Sequence, residues 1–432
     1  MRVLVTGGYG FIGTAVCAAL ITAGHQVVGA GRNVKWARRR FPDLQWVHCD
    51  FNHDLNPEDW THQLANIDAV VNCVGVLQDG GSDNTQNAHS TGLQALLSAC
   101  EQAGLQKFIH LSAVGADPAA GTKYSRTKFE GAERVKKSKL NWVILEPSLV
   151  LDRTVYGGSA IIRTLAGLPV CIPLVYGQTK FQPVSMQDVT RVVTHFLEPA
   201  SPSKIQVEIA GPQTLTLQEV VALVRNWLGF GPAKFINIPA WIAAPVFIIG
   251  DALGAIGVRT ALRSTAKKQM QYGVGGDPAP LQNLIGYQTN SIASVFSSNP
   301  ASLGDRLQAR LSSIIELSRI GLAWYWILSG LIPLLFSKSW ALEILADAGF
   351  AEPMGSILFW GGSMADIVLG SMLLLGIQVR RVCWAMVAIS VGYLVMISLC
   401  SLHLWLDPMA TVLKIFPAMA LAVIIAGMAD QR

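Results

Sequence analysis

Residues 1–13 read MRVLVTGGYGFIG, a short apolar strand that runs into glycines at positions 7, 8, 10 and 13. Few folds accept that order of strand, G-x-x-G-x-x-G turn and apolar helix. The pattern predicts a strand over Arg2–Val5, a helix over Ile12–Ala23 and a second strand over His25–Gly29. In such a unit, backbone N–H groups and the positive end of a helix converge on one point, where a phosphate is held. Glycine is required because a Cβ would block both the tight turn and the approach of a pyrophosphate. The segment therefore reads as a dinucleotide site built on Gly7, Gly10 and Gly13. A ligand-free glycine turn is the alternative, and the flanking strand and helix argue against it.

The next 130 residues continue the alternation. Strands are expected at Gln26–Gly29, Gln45–Cys49, Ala69–Cys73, Lys107–Leu111 and Trp142–Leu145. Helices are expected near Val34–Arg40, His89–Ala103 and Thr122–Val135. Continuous apolar strands separated by helical periods imply an α/β fold, a doubly wound parallel sheet covered on both faces. From about 150 to 300 glycine and proline are frequent and the pattern loosens, as in a smaller substrate-side subdomain.

Beyond a linker at 301–319 the character changes. Charged residues make up 14% of the chain, against about 25% in soluble proteins, and this deficit is concentrated at the C-terminal end. Four apolar stretches, about 320–337, 355–377, 382–406 and 408–429, approach the roughly 20 residues needed to cross a hydrocarbon core. Trp324, Trp326, Trp340, Trp360, Trp384 and Trp405 lie near their ends, as interfacial anchors do. These segments read as a four-helix transmembrane domain over 320–432. Arg306, Arg310 and Arg319 precede the first stretch, Arg380 and Arg381 separate the second from the third, and Arg432 follows the fourth. The loop 338–354 carries Glu343, Asp347 and Glu352 against Lys338. The positive-inside rule then places the N-terminal domain and the C-terminus in the cytoplasm of a multi-pass inner-membrane protein. The opening strand leaves no room for a cleavable signal peptide, so none is expected. A further apolar stretch, 238–258, is interrupted by Pro239, Pro245, Gly250 and Asp251. It reads as a soluble or interfacial helix in preference to a fifth span.

Net charge is +5, too modest to indicate nucleic acid. The seven cysteines form no CxxC pair and no metal-like spacing, so they read as reduced thiols and no metal is expected. Asp366 sits within an apolar span, where a carboxyl is costly unless paired or functional. Lys414 is its natural partner if both face the bundle interior, or else it snorkels to an interface. A structural ion pair and a site for a quinone or other lipid are the two readings.

Arg32 follows the second strand, where a site for NAD would place a carboxylate on the ribose 2′-OH. A guanidinium there pairs instead with the 2′-phosphate of NADP, so NADP(H) is preferred and NAD(H) is the second option. Lys35, Arg38, Arg39 and Arg40 also suit a solvated basic face. Asp50, ending the third strand, is placed for the adenine amine or for an ordinary turn. Tyr124 and Lys128 are four residues apart and share a helix face, so both can address a nicotinamide ribose. A nearby ammonium lowers a phenol pKa, making Tyr124 a general acid/base. Ser112, after the Lys107–Leu111 strand, is the candidate for polarising the substrate oxygen, although a strand-end serine also serves as a plain cap.

Taken together, Thr6–Gly13, Val71–Gly75, Leu111–Ala113, Tyr124 with Lys128, Glu146-Pro147-Ser148, Phe181–Val189 and Glu208–Pro212 resemble the short-chain dehydrogenase/reductase superfamily over residues 1–300. The type is extended or atypical, similar to the nucleotide-binding accessory subunit of respiratory complex I. The C-terminal third resembles the DoxX-like membrane domain. The resemblance implies Tyr124 and Lys128 as catalytic residues assisted by Ser112. It also implies cofactor contacts from Phe11, Ile12, Val74, Gly75, Lys128 and Pro147. Two positions depart from the pattern: Glu146 replaces the usual arginine before Pro147, and His89 stands where asparagine is common.

The chain is therefore expected to be a membrane-anchored, NADP(H)-dependent oxidoreductase acting on an apolar, membrane-partitioned carbonyl, alcohol or quinone-like compound. A non-catalytic nucleotide-binding assembly or sensor protein is the alternative, and a sugar-nucleotide epimerase or dehydratase the third. Substrate identity and oligomeric state are not encoded in any motif.

Overall fold

The computed structural model describes residues 1–80, 83–255, 263–408 and 410–429. Arg432 and the end of the 238–258 stretch therefore lie outside the described residues. The chain divides into two compact units, Met1–Ala309 and Arg310–Arg432.

The first unit is built on seven strands, β1 (Arg2–Thr6), β2 (Gln26–Gly31), β3 (Gln45–His48), β4 (Ala69–Asn72), β5 (Lys107–Leu111), β6 (Trp142–Pro147) and β7 (Ile205–Ile209). They form one sheet in the order β7-β6-β5-β4-β1-β2-β3, and every pairing is parallel. The order reverses between β1 and β4, the switch point where α/β sheets bind ligands beyond their carboxyl ends. Alternation along each strand divides the core between the two faces. Val3, Val5, Val71, Ile109 and Leu145 pack with Val16 and Leu20 of α1 (Phe11–Thr22) on one face. Leu4, Val28, Val70, Phe108 and Ile144 pack on the other with Leu93 and Leu96 of α3 (Gly92–Gln102), numbered after the basic helix α2 (Val34–Arg40). Val135 of α4 (Lys123–Lys137) joins that second face, and Val189, Val192 and Phe196 of α5 (Met186–Leu197) join the first. A third cluster, including Ile162, Ile172, Val221 and Phe296, forms the substrate-side core. Two further helices of this unit, α6 (Ala240–Ala255) and α7 (Ser264–Tyr272), lie within the 238–258 stretch and just after it.

In the second unit, the residues expected as a linker are helical. Helix α8 runs unbroken over Leu303–Phe336, 34 residues, with no glycine or proline between Gly304 in its first turn and Gly321. It is followed by α9 (Lys338–Asp347), α10 (Met354–Leu374), α11 (Val379–Cys400) and α12 (Ile415–Met428). Among the described residues α8, α10 and α11 are long and apolar enough to cross a membrane. The fourth apolar stretch is split by Pro408 and short turns. Its helix α12 spans 14 residues, about 21 Å. Large apolar side chains such as Leu335, Phe336, Ile357 and Leu399 point outward, while Ser363, Asp366 and Ser390 are buried. That inversion suits a lipid surround. At Gly330 of α8 a Cβ would lie 2.4 Å from Ser363 O of α10, so only glycine permits this backbone approach. Arg319 donates from Nη1 to the Leu373 and Leu374 carbonyls at 2.5 and 3.0 Å, capping the end of α10.

Candidate functional site

The glycine turn lies at the carboxyl end of β1. Gly10 is the N-cap of α1, with no side-chain cap on the first turn, so its leading N–H groups point outward for a ligand. A Cβ on Gly13 would sit 2.1 Å from Gly7 O, which makes glycine obligatory where the helix crosses the turn. This cradle fits a pyrophosphate. Phe11 and Ile12 follow it directly, and Val74 and Gly75 follow the end of β4, where a Cβ added at Gly75 would lie 3.5 Å from Lys128 Nζ.

Asn72, the last residue of β4, knits this end of the sheet together. Its Oδ1 accepts from Thr6 Oγ1 at 2.8 Å and from the Val74 N–H at 3.1 Å. Its Nδ2 donates to His110 Nδ1 at 3.1 Å, leaving His110 Nε2 buried and without a partner among the described residues. Burial, with help from the Lys128 charge, holds His110 well below the ordinary imidazole pKa.

Lys128 is buried on α4 and donates from Nζ to Leu111 O at 2.9 Å and to Val74 O at 3.3 Å. Two strand ends thus fix its ammonium beside the cofactor cradle. Burial lowers its pKa from 10.5 to about 8. Tyr124, one turn earlier, is half-buried. Here the structure differs from the expectation of a depressed phenol: burial pushes Tyr124 up to about 12. At neutral pH the phenol is therefore protonated. Ser112 is buried, and its Oγ has no partner among the described residues. It does not act as a cap, and an orphaned hydroxyl at a strand end suits an incoming oxygen.

His89 emerges as a residue that its type alone did not assign. A π-helical turn, Asn87–Thr91, carries it just before α3, and such turns cluster at functional sites. His89 Nε2 accepts the Val76 N–H at 3.0 Å, and its ring meets the Tyr124 ring edge-on at 5.7 Å. With Nε2 an acceptor, Nδ1 carries the proton and donates to Thr127 Oγ1 at 2.9 Å. Burial keeps the ring neutral, well below its ordinary pKa. His89 therefore makes a hydrogen-bonding bridge between the loop after β4 and α4.

Arg32 stands at the end of β2, with Nη2 2.7 Å from Asp83 Oδ1. Asp50 is engaged locally: it accepts the Asn52 N–H at 3.0 Å and lies 3.0 Å from His53 Nδ1. Pro147 is buried at the end of β6, where its carbonyl accepts the Val114 N–H at 3.3 Å. The loop before α3 is tied to α4 by an Asp79–Lys123 ion pair. In the second unit Asp366 is hydrogen-bonded by Ser329 Oγ at 2.9 Å and Tyr393 Oη at 3.4 Å. Lys414 is exposed and does not pair with it.

Fold and cradle together define a nucleotide-binding α/β protein of the Rossmann type. Residues 7–198 match the NAD(P)H-binding family model and residues 323–423 the DoxX-like family. These matches agree with an NAD(P)-binding domain followed in the same chain by a DoxX-like domain with apolar helices. It is similar to a 2-alkyl-3-oxoalkanoate reductase of Stenotrophomonas maltophilia, 32% identical over 26% of this chain and 33% of the relative. It is also similar to the mitochondrial NADH dehydrogenase [ubiquinone] 1 alpha subcomplex subunit 9 of Arabidopsis thaliana, 25% identical over 55% of this chain and 60% of that one. The chain spans less than two thirds of either relative. A UDP-glucuronic acid 4-epimerase from Bacillus cereus shares the fold at a TM-score of 0.51 and 18% identity, covering 69% of this chain and 97% of the epimerase.

Proposed function

We propose that this protein is a membrane-anchored, NADP(H)-dependent oxidoreductase whose substrate is an apolar carbonyl, alcohol or quinone-like compound. What supports the reading is the buried Lys128, held by Leu111 O and Val74 O, with Tyr124 one turn before it on α4 and the unpartnered Ser112 Oγ next to Leu111 in the chain. Gly7, Gly10 and Gly13 would receive the pyrophosphate, Lys128 the nicotinamide ribose, and Arg32 a 2′-phosphate once Asp83 yields. When bound, the nicotinamide supplies a hydride to the carbonyl carbon. Tyr124 then gives its phenolic proton to the carbonyl oxygen, Ser112 donates to that oxygen, and the Lys128 ammonium stabilises the phenolate left behind. The product is the alcohol, and Tyr124 recovers its proton from water.

The similarity to a protein named for reducing a 2-alkyl-3-oxoalkanoate supports a ketone with an apolar tail. The basic residues Arg306, Arg310, Arg319, Arg380 and Arg381 support a cytoplasmic first unit. An inner-membrane location and α12 as the fourth span complete this reading. The full chain in lipid nanodiscs, supplied with NADPH and a membrane-lipid extract, tests it by cofactor oxidation and mass spectrometry of reduced lipid. Tyr124→Phe is expected to lose about 10²–10⁴-fold in turnover while binding NADPH normally. Equal turnover in Tyr124→Phe, with loss of cofactor binding in Gly10→Val, would leave the nucleotide-binding assembly protein as the correct reading.

A further inference from the structure

Helix α6 is built inside out. Over Ala240–Ala255, Trp241, Ile242, Pro245, Val246, Ile248 and Ile249 are all exposed, the tryptophan to 76%. At 3.6 residues per turn they occupy one arc of about 160°, and no polar side chain interrupts it. The opposite side faces the domain. There Phe247 is buried, Gly254 lies against Arg263, and Asp251 accepts from Ser264 N–H at 3.1 Å and Arg263 Nε at 3.4 Å. A helix whose carboxylate bonds back to the domain while its six outward-facing residues are all apolar is matched to a solvent other than water.

We infer that α6 lies in the membrane interface, with the Trp241–Ile249 face in the acyl region of the cytoplasmic leaflet. Only one side of it is apolar and exposed, while Phe247, Asp251 and Gly254 on the other side are held by the domain, so it lies in the plane of the interface. The charge around it agrees. Lys267 and Lys268 belong to α7 beside it, and Lys267 Nζ stands 5.9 Å over the Phe247 ring. These cations sit at the level of anionic lipid headgroups. Because the same chain carries the DoxX-like membrane domain, a bilayer is always within reach.

The helix is wired to the candidate site. Arg263, which holds Asp251 of α6, donates from Nη1 to Asp79 O at 2.6 Å, and Asp79 pairs with Lys123, the residue before Tyr124. Gln269 of α7 donates from Nε2 to Thr122 Oγ1 at 2.9 Å and Ser125 Oγ at 3.1 Å, at the start of α4. A leaflet-embedded α6 would therefore bring the wall of the site to the bilayer surface and admit a lipid-phase substrate without passage through water. This last consequence rests on the oxidoreductase reading, whereas the embedding does not.

The test uses the full chain in phosphatidylcholine/phosphatidylglycerol nanodiscs with an environment-sensitive fluorophore on Ile248→Cys. The parent protein, labelled in parallel, is the blank, and Glu58→Cys is the aqueous control. Blue-shifted emission, quenched about two-fold or more when the lipids carry brominated acyl chains, is the expected result. Water-like emission overturns the inference, as does blue-shifted emission that brominated lipid leaves unchanged, which would mean protein covers the face. A second variant, Ile248→Asp with Ile249→Asp, is expected to bind NADPH as the parent does while losing turnover of lipid-phase substrate. Loss of turnover for a short water-soluble ketone as well would mean that the helix matters only for folding. Lipid quenching requires no turnover, so failure of the oxidoreductase reading and failure of this one are distinguishable.

Discussion

Arg32 Nη2 meets Asp83 Oδ1 at 2.7 Å, so the guanidinium that ends β2 is engaged by a carboxylate from the loop before α3. A 2′-phosphate must displace that carboxylate from a part-buried pair, and it offers the same guanidinium the greater negative charge. Arg32→Ala is expected to weaken NADPH binding about 10- to 100-fold, the range for a hydrogen bond to a charged group, with little change for NADH. Asp83→Asn should tighten NADPH a few-fold. Titration with each cofactor checks both, and equal losses for NADPH and NADH would refute the 2′-phosphate role.

Lys128 gives a pH signature with two opposed limbs. Its native pKa of about 8 lies below the ordinary 10.5, so the ammonium is present below pH 8 and lost above it. Cofactor affinity should therefore fall as pH rises through about 8. Between 8 and 10.5 the unfolded chain binds the extra proton, so the contribution of this site to stability should rise with pH. Lys128→Met should flatten both limbs in binding and thermal-unfolding series. A parallel fall in stability and binding would assign the effect to general unfolding.

His89→Ala leaves the part-buried Val76 N–H without its acceptor. The expected cost is about 1–3 kcal/mol, seen as faster amide exchange across residues 75–79. His89→Asn should recover part of it. Unchanged exchange in the alanine variant would show that the bridge between this loop and α4 carries no weight.

The glycines at 10 and 13 should fail differently. A Cβ at position 13 meets Gly7 O at 2.1 Å, whereas at position 10 the same atom is 3.0 Å away. Gly13→Ala should lose both melting temperature and NADPH binding, with overpacking costing about 1–3 kcal/mol. Gly10→Ala should keep most of its stability and lose affinity. Thermal unfolding with and without NADPH separates the two cases.

Within the second unit, Asp366 depends on Ser329 and Tyr393. Asp366→Asn accepts one of those bonds through its oxygen and remakes the other as a donor through its NH2, and should stay within about 1 kcal/mol of the parent. Asp366→Leu should be less stable, and Lys414→Ala should be neutral. Thermal denaturation in detergent ranks the three. A Lys414→Ala defect equal to that of Asp366→Leu would restore an ion pair between these side chains.

Local rules made the first unit readable. The glycine turn, the continuous apolar strands and the spacing of Tyr124 and Lys128 each depend on residues a few positions apart, so the α/β class, strand positions and candidate pair were legible from the chain alone. Apolar length likewise marked a membrane domain. It could not place helix ends, since hydropathy does not register that 303–319 continues into α8 or that Pro408 and short turns reduce the last helix to Ile415–Met428.

What only tertiary structure decided was the state and company of the polar groups. Desolvation is a property of what surrounds a side chain, so the Tyr124 phenol rises where proximity to Lys128 alone predicted a fall. The Arg32–Asp83 contact spans 51 positions and the Asp366–Ser329 contact 37. No periodicity records such pairs. The inverted face of α6 belongs to both levels: its apolar residues are plain in sequence, but which side meets the domain was settled by packing. By itself, the sequence determined a glycine cradle on a parallel sheet and an apolar C-terminal domain. The folded chain determined which groups around that cradle are buried, and burial sets their protonation and partners.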